Sequence, residues 1–332
     1  MIPTESSNSS ISRRKLLSIA GAGGVVSAMG LPSSGMAQVR DSSLDAKYFA
    51  GFKRQTLETS GATINFLVGG QGPAVLLLHG YPQNHLAWRK VAPVLAKRFT
   101  VVVPDLRGYG DSSKPEGGPN HVNYSKRNMA LDQIGVLDHL DIKSAIVVGH
   151  DRGARVGQRL ALDRPDVVSK LLLMDTIPTD YSYHNVNSTF GTYYWHWFFL
   201  IQNAPFPETV LGNHIPTFME KTLGTDHQKF VERDVFADYV RCFEDRKTFH
   251  AVCEDYRAGP TVDMDQAAAD EGRKISCPVS VVWGTKAVFG HAYDVVSIWR
   301  QYADNVSGAA LDCGHWAAEQ APEEIVAKIA AL

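Results

Sequence analysis

The chain has 332 residues, 44% of them hydrophobic and 20% charged, with a formal net charge of −2 and a pI near 6.6. That length allows one large domain or two small ones, and the balance is an ordinary globular one. Without a basic surplus, nucleic acid is excluded as an expected partner, and the apolar runs that recur from about Phe66 onward exclude disorder for most of the chain.

The first forty residues differ from the rest. Met1 to Ser12 is polar and Ser/Asn-rich, Ser12-Arg13-Arg14-Lys15-Leu16-Leu17 opens a weakly apolar stretch to Leu31, and Gly35-Met36-Ala37 supplies small residues for cleavage. Residues 1–37 therefore read as an export signal of the twin-arginine type, against the blander reading of a disordered basic tail. Leu16 stands where Phe is commonest in such signals. The stretch is too short and Gly-rich for a spanning helix, so an exported, periplasmic protein without a stable membrane anchor is expected once the signal is removed. If the signal is not used, the protein is cytoplasmic.

Two short runs, roughly Phe52–Leu57 and Thr63–Val68, predict an antiparallel hairpin, and Gly69-Gly70-Gln71-Gly72-Pro73 turns the chain into a core strand at Ala74–Leu78. Further apolar runs at Phe99–Val103, Ala145–Val148, Leu171–Met174 and Val279–Trp283 read as buried parallel strands. Helical patterns at Leu86–Lys97, Ser125–Leu140 and Gly153–Leu162 lie between them, and another at Ile325–Leu332 closes the chain. Such alternation predicts an α/β fold, a mostly parallel sheet with helices on both faces. The alternation stops after Pro178, and the aromatic, helix-like stretch that follows reads as an inserted cap. The expected organisation is a core of residues 48–178 and 261–332 with a helical cap over 179–260.

The chemistry gathers at strand ends. After the first core strand, His79-Gly80-Tyr81-Pro82 forms a turn that presents a backbone N–H. Asp105-Leu106-Arg107-Gly108-Tyr109-Gly110, at the same sheet edge, reads as scaffolding. The strand at 145–148 runs into Gly149-His150-Asp151-Arg152-Gly153 and then a helix, which is a G-x-Nu-x-G elbow with Asp in the place of Ser. A carboxylate there attacks carbon and leaves an alkyl ester, which water must hydrolyse with a general base. His315, in Cys313-Gly314-His315-Trp316 after a late strand-like run, is that base. The loop after Trp283 holds no carboxylate, so Asp175, at the end of the strand after the elbow, is assigned as the acid that orients His315. The backbone N–H groups of Tyr81 and Arg152 are the expected oxyanion donors. None of Cys242, Cys253, Cys277 and Cys313 forms a C-x-x-C pair, so no metal is expected, and buried free thiols are preferred to disulfides.

Over roughly residues 48–332 the sequence resembles the haloacetate (fluoroacetate) dehalogenases, α/β-hydrolases related to the soluble epoxide hydrolases. The resemblance is most specific in Gly149-His150-Asp151-Arg152-Gly153-Ala154-Arg155, where epoxide hydrolases usually carry Trp in place of Arg152. It extends to Trp195-His196-Trp197 and Cys253-Glu254-Asp255-Tyr256-Arg257-Ala258-Gly259. It implies that Arg152 and Arg155 clamp a substrate carboxylate and that His196, Trp197 and Tyr256 cradle the departing halide. The implied reaction is hydrolysis of a small anionic 2-haloacid to glycolate and halide through an Asp151 ester, with no cofactor; an epoxide hydrolase using the same triad is the alternative. Relatives are commonly dimers, which leaves a homodimer as an open expectation. The sequence departs from the family pattern at Tyr81, where Phe is common, at Trp195, where Tyr is frequent, and after His315, where Trp316-Ala317-Ala318 lacks the usual Pro.

Overall fold

The computed structural model describes residues 43–332 apart from Asn213, so the export-signal reading of residues 1–37 lies outside the described residues. Strands β1 (Lys53–Glu58), β2 (Thr63–Gly69), β3 (Ala74–Leu78), β4 (Thr100–Pro104), β5 (Ala145–His150), β6 (Val168–Met174), β7 (Val279–Gly284) and β8 (Val306–Leu311) form one sheet in the order β1-β2-β4-β3-β5-β6-β7-β8. β1 and β2 pair as the expected hairpin, and β2 joins β4 antiparallel. From β4 to β8 every pairing is parallel. The central strands read as continuous apolar runs because helices cover both faces; all of β5 is buried, whereas edge strand β1 is buried nowhere along its length.

Most predicted elements lie where the periodicity puts them, including the helices Lys126–His139 and Arg152–Asp163. One does not. The single helix expected over 86–97 is two pieces, a short turn His85–Trp88 and a helix Ala92–Leu95. Pro93 has no N–H and its ring crowds the carbonyl four residues back, so a helix can restart there but cannot run through. The four cysteines are buried free thiols.

Between β6 and β7 the chain leaves the sheet and forms helices, among them Thr179–His184, Ser188–Tyr193, Trp195–Leu200 and Arg246–Ala258. Helical structure runs on through Gly259–Asp263 to Met264–Ala269, beyond the boundary at 260 that composition suggested. The insert's aromatics are its core: Phe190 lies 5.0 Å from Tyr194 and 5.2 Å from Trp197, centroid to centroid. Among the described residues no helix is long and apolar enough to cross a membrane.

The elbow sits at the carboxyl end of β5, in the middle of the sheet between β3 and β6. Asp151 has φ 48° and ψ −113°, a conformation that non-glycine residues rarely adopt. Its glycine neighbours permit the close crossing of strand and helix. A Cβ on Gly149 would lie 2.5 Å from Ala154 Cα, and one on Gly153 would lie 2.4 Å from the carbonyl oxygens of Leu78 and His79. These contacts are with backbone and cannot yield by a rotamer change. Gly153→Ala is expected to cost about 1–3 kcal/mol and to lower the thermal midpoint by several degrees. A melting curve that superimposes on the wild type would show that strand and helix can separate at no cost.

Candidate active site

Three chain segments far apart in sequence meet above the elbow. Asp175 follows β6, is fully buried, and accepts at Oδ1 from the Gly284 N–H (3.2 Å) at the end of β7. Its Oδ2 accepts from Nδ1 of His315, which follows β8. This leaves His315 Nε2 facing the elbow, 4.0 Å from Asp151 Oδ2. Asp151 Oδ1 is turned the other way and accepts from the Tyr81 N–H at 3.0 Å. The Arg152 N–H, the second donor expected, makes no hydrogen bond to Asp151 among the described residues. The two carboxylate oxygens are thus differentiated: one is pinned in an electrophilic turn, and the other faces the imidazole.

The His315 loop has a support that no sequence motif suggested. His150, one residue before Asp151, donates from Nε2 to the His315 carbonyl at 2.8 Å and lies 4.6 Å from its ring. Burial pulls His150 down to a pKa of about 3, so it is a neutral donor. The Asp105 and Arg107 expected to be scaffold are engaged within it. Asp105 accepts from the His85 N–H and from Asn65, while Arg107 pairs with Asp132.

A cavity of about 550 Å³ opens on this triad, walled by Tyr81, Asp151, Tyr194, His196, His315 and Trp316 among others. Arg152, Arg155, Trp197 and Tyr256 are buried and do not line it themselves. His196 stacks on Tyr81 (5.4 Å, 19°) and lies 5.9 Å from Tyr256, whose ring is 6.1 Å from Trp197. Burial drops His196 to a pKa of about 3, leaving it a neutral imidazole with one N–H to donate. Trp197 Nε1 and Tyr256 Oη are buried without a hydrogen-bond partner. Each such orphan donor costs about 1–3 kcal/mol when left dry, which favours a ligand atom that accepts from it.

The two arginines are not equivalent. Arg152 donates from Nε (2.9 Å) and Nη2 (2.8 Å) to the carboxylate of Asp255, on the helix Arg246–Ala258, and lies 4.3 Å over the Tyr256 ring. Only its Nη1 is outside that fork. Asp255 also accepts from Lys126 and, at 2.7 Å, from Tyr109. Arg155 is also buried and lies 4.7 Å over the Trp197 ring, but the one hydrogen bond of its guanidinium among the described residues runs from Nη1 to Thr179 Oγ1 at 2.7 Å. Sequence reasoning quoted Asp255 only as part of a matching segment and did not foresee its ion pair, because no spacing rule links it to Arg152.

The match to known proteins follows the same anatomy. The family model described as the α/β-hydrolase fold matches residues 73–322. The chain belongs to the α/β-hydrolase family. A fluoroacetate dehalogenase from Burkholderia sp is 42% identical over 83% of this chain and 92% of its own. A soluble epoxide hydrolase from Corynebacterium sp. (strain C12) is 31% identical over 80% of this chain and 92% of its own. A crystal structure of a Nostoc sp PCC 7120 protein assigned to the α/β-hydrolases superposes with a TM-score of 0.81 at 48% identity, covering 85% of this chain and 97% of that one.

The electrostatics of this hydrolase fix its resting protonation. Burial would raise the Asp151 pKa, but the facing His315 and His150 imidazoles, the Arg152 guanidinium and the Tyr81 N–H outweigh it and hold it below the ordinary carboxylate value. Burial would lower His315, but the charge and hydrogen bond of Asp175, with the charge of Asp151, leave it raised. A base works only when deprotonated, so turnover limited by His315 is complete above its raised pKa and is lost as pH falls through it. The acid limb of kcat is expected above the ordinary histidine value of about 6.5. Asp175→Asn is expected to move that limb to lower pH while cutting kcat; a limb that stays in place in a pH–rate profile would dissociate Asp175 from the base.

Proposed function

We propose that the protein hydrolyses haloacetates, small 2-haloacids of the fluoroacetate type, to glycolate and halide. The observation that carries this reading is a carboxylate nucleophile beside a buried guanidinium, Arg155, with no carboxylate of its own. A carboxylate-bearing substrate supplies the missing negative charge and brings its α-carbon toward Asp151. In the first step Asp151 Oδ2 attacks that carbon in line with the C–X bond, the electron pair leaves with the halide, and an ester forms on Asp151. His196, Trp197 and Tyr256 donate to the charge developing on the halogen; fluoride, a poor leaving group, needs such donors most. In the second step His315 Nε2 takes a proton from water, and the hydroxide attacks the Asp151 carbonyl carbon. The oxygen on which charge then develops is the one the Tyr81 N–H already holds; collapse breaks the bond between the Asp151 carbonyl carbon and the glycolate oxygen, which takes back the proton from His315, and glycolate leaves with Asp151 regenerated. No metal or organic cofactor takes part in these steps.

The support is threefold: the Asp151–His315–Asp175 arrangement, the orphan donors of Trp197 and Tyr256, and the likeness to a fluoroacetate dehalogenase. Epoxide hydrolysis is the second reading, favoured by the unpartnered Tyr256 hydroxyl, which can protonate an epoxide oxygen, and by the epoxide hydrolase relative. Against it, an epoxide leaves Arg155 without a counter-charge. For the leader residues 1–37 we propose export by the twin-arginine route.

Halide release from fluoro-, chloro- and bromoacetate, with styrene oxide alongside, tests the assignment. The wild type is expected to release halide, Asp151→Asn to release none, and diol formation without halide release would overturn the ranking. In heavy-oxygen water the first turnover should label Asp151 and not glycolate; label in first-turnover glycolate would eliminate the ester. Removing one halide donor, as in Trp197→Phe, is expected to slow the first step roughly a hundredfold or more in single-turnover kinetics.

A further inference from the structure

The loop that carries the base is anchored from several sides. Asp175 and His150 hold His315 from the ends of β6 and β5. The Trp316 indole N–H donates to the carbonyl of Leu223, on the inserted helix Ile215–Leu223, at 3.0 Å, and Gln320 Oε1 accepts from the Gly314 N–H at 2.8 Å. After Trp316 the chain makes a single helical turn, Ala317–Gln320, and Trp316-Ala317-Ala318 contains no proline to fix its backbone. Within that turn the Glu319 side chain is buried, which a carboxylate tolerates only when its oxygens are satisfied.

Two donors converge on that carboxylate. Its Oε2 accepts from Gln83 Nε2 at 2.5 Å, and its Oε1 pairs with Arg89 Nη1 and lies 3.4 Å from the Tyr239 hydroxyl. Gln83 stands two residues after Tyr81, whose N–H holds Asp151, and its own N–H closes the turn on the Gly80 carbonyl at 3.0 Å. Arg89 is itself fixed, donating to the Leu86 and Phe230 carbonyls and to Glu232. Among the described residues the Gln83–Glu319 hydrogen bond is the direct one between the Tyr81 turn and the His315 loop. Two converging donors need an acceptor on each oxygen and a donor on neither, which an amide in place of the carboxylate could not supply.

We propose that Glu319 is a positioning residue: by clipping Gln83, on the turn that carries the Tyr81 N–H, to the loop that carries His315, it fixes the spacing of oxyanion donor and base for the attack of water on the Asp151 ester. This rests on the ester route of the haloacid reading above and deepens its second step. Water must be activated at His315 Nε2 while charge develops on the oxygen that Tyr81 holds, so the two groups act at once and their separation counts. The first step uses the Asp151 carboxylate and the halide donors and needs no base. Loss of the clip therefore separates the two steps, whereas a general loosening of the fold slows both.

The experiment follows both steps in single-turnover kinetics on the full chain, with chloroacetate as substrate. Halide release reads the first step, and the mass of the Asp151 peptide reads the ester. Gln83→Met removes the clip's N–H at similar length and leaves Glu319 paired with Arg89. It is expected to keep the first step within about twofold of the wild type and to slow loss of the ester roughly tenfold or more, so that the ester accumulates. Exchanging the pair, Gln83→Glu together with Glu319→Gln, reverses the hydrogen bond at constant net charge and is expected to return ester loss to within about threefold of the wild type. A second readout needs no substrate: the titration of His315 by NMR. The groups that face its ring are Asp175, Asp151, His150, Tyr194 and Trp316, and the two carboxylates raise its pKa. In Gln83→Met the titration is expected to fall toward the ordinary value of about 6.5, and in the exchanged pair to return. The inference is overturned by ester loss at the wild-type rate in Gln83→Met, by equal slowing of both steps, by a His315 titration that does not move, or by an exchanged pair as slow as Gln83→Met. Halide release by the wild type with an unaffected Gln83→Met sinks only the clip; no halide release, with a His315 titration that moves in Gln83→Met, sinks the haloacid reading and leaves the clip in place.

Discussion

The rest of the site depends on one backbone conformation. Asp151 occupies a region of φ and ψ that costs a non-glycine residue of order 1–3 kcal/mol, and the surroundings must hold it there. They do so with a fully buried strand paired on both sides and with a helix packed so closely that Gly149 and Gly153 have no room for a side chain. The strain is useful because it lifts the carboxylate clear of the sheet and into reach of the Tyr81 N–H and His315. Asp175 is held similarly, with φ 46°, one strand away, so two adjacent strand ends each project a carboxylate toward the same imidazole.

With two carboxylates, an imidazole and two guanidiniums buried together, electrostatics become the second constraint. Isolated charges are costly to bury, and almost every one here is paired with hydrogen bonds as well as opposite charge. Asp255 gathers Arg152, Lys126 and Tyr109, and their charges hold its carboxyl well below the usual range despite its burial. Asp175 is matched by His315. Arg155 departs from that pattern: burial and the neighbouring Arg152 lower its pKa, and the opposing influence of Asp151, Tyr183 and Tyr256 does not make up the difference. A buried charge of this kind is expected where an incoming anion completes the pair, which is why the proposed function places the substrate carboxylate beside Arg155.

What was legible in the sequence follows from the range of each interaction. The strands, the hairpin and the elbow are local: apolar runs of five or six residues, and glycines two positions either side of Asp151, carry their own signal. The placement of Asp175 beside His315 was reachable by elimination, because the loop after β7 offers no carboxylate. The break in the 86–97 helix was also local, and the periodicity concealed what Pro93 should have revealed. By contrast, the fork between Arg152 and Asp255 joins residues more than a hundred positions apart on different helices, and nothing in either neighbourhood names the other. His196, Trp197 and Tyr256 were singled out by family resemblance alone; as a sequence pattern they are indistinguishable from the aromatic core that Phe190 and Tyr194 form beside them. The Thr179 hydroxyl and the His150 contact with the His315 carbonyl are likewise products of tertiary packing.

The position of Asp255 also bears on how the inserted helices relate to the elbow. Arg152 belongs to the helix that begins at the nucleophile, and Asp255 to the insert, so a buried ion pair joins the two at the site itself. Parting such a pair without replacing either partner costs about 3–5 kcal/mol, which would hold an opened state to below one molecule in a hundred. Lifting the helix Arg246–Ala258 would in addition strip Tyr256 from the Arg152 guanidinium and expose Lys126. Traffic through the existing mouth, beside the exposed rings of Tyr193 and Trp195, breaks none of these contacts. The interaction that neutralises Arg152 therefore also keeps Tyr256 at a fixed distance from the elbow while small molecules come and go, and under the proposed reaction a hydroxyl that donates to a departing group depends on that fixed distance.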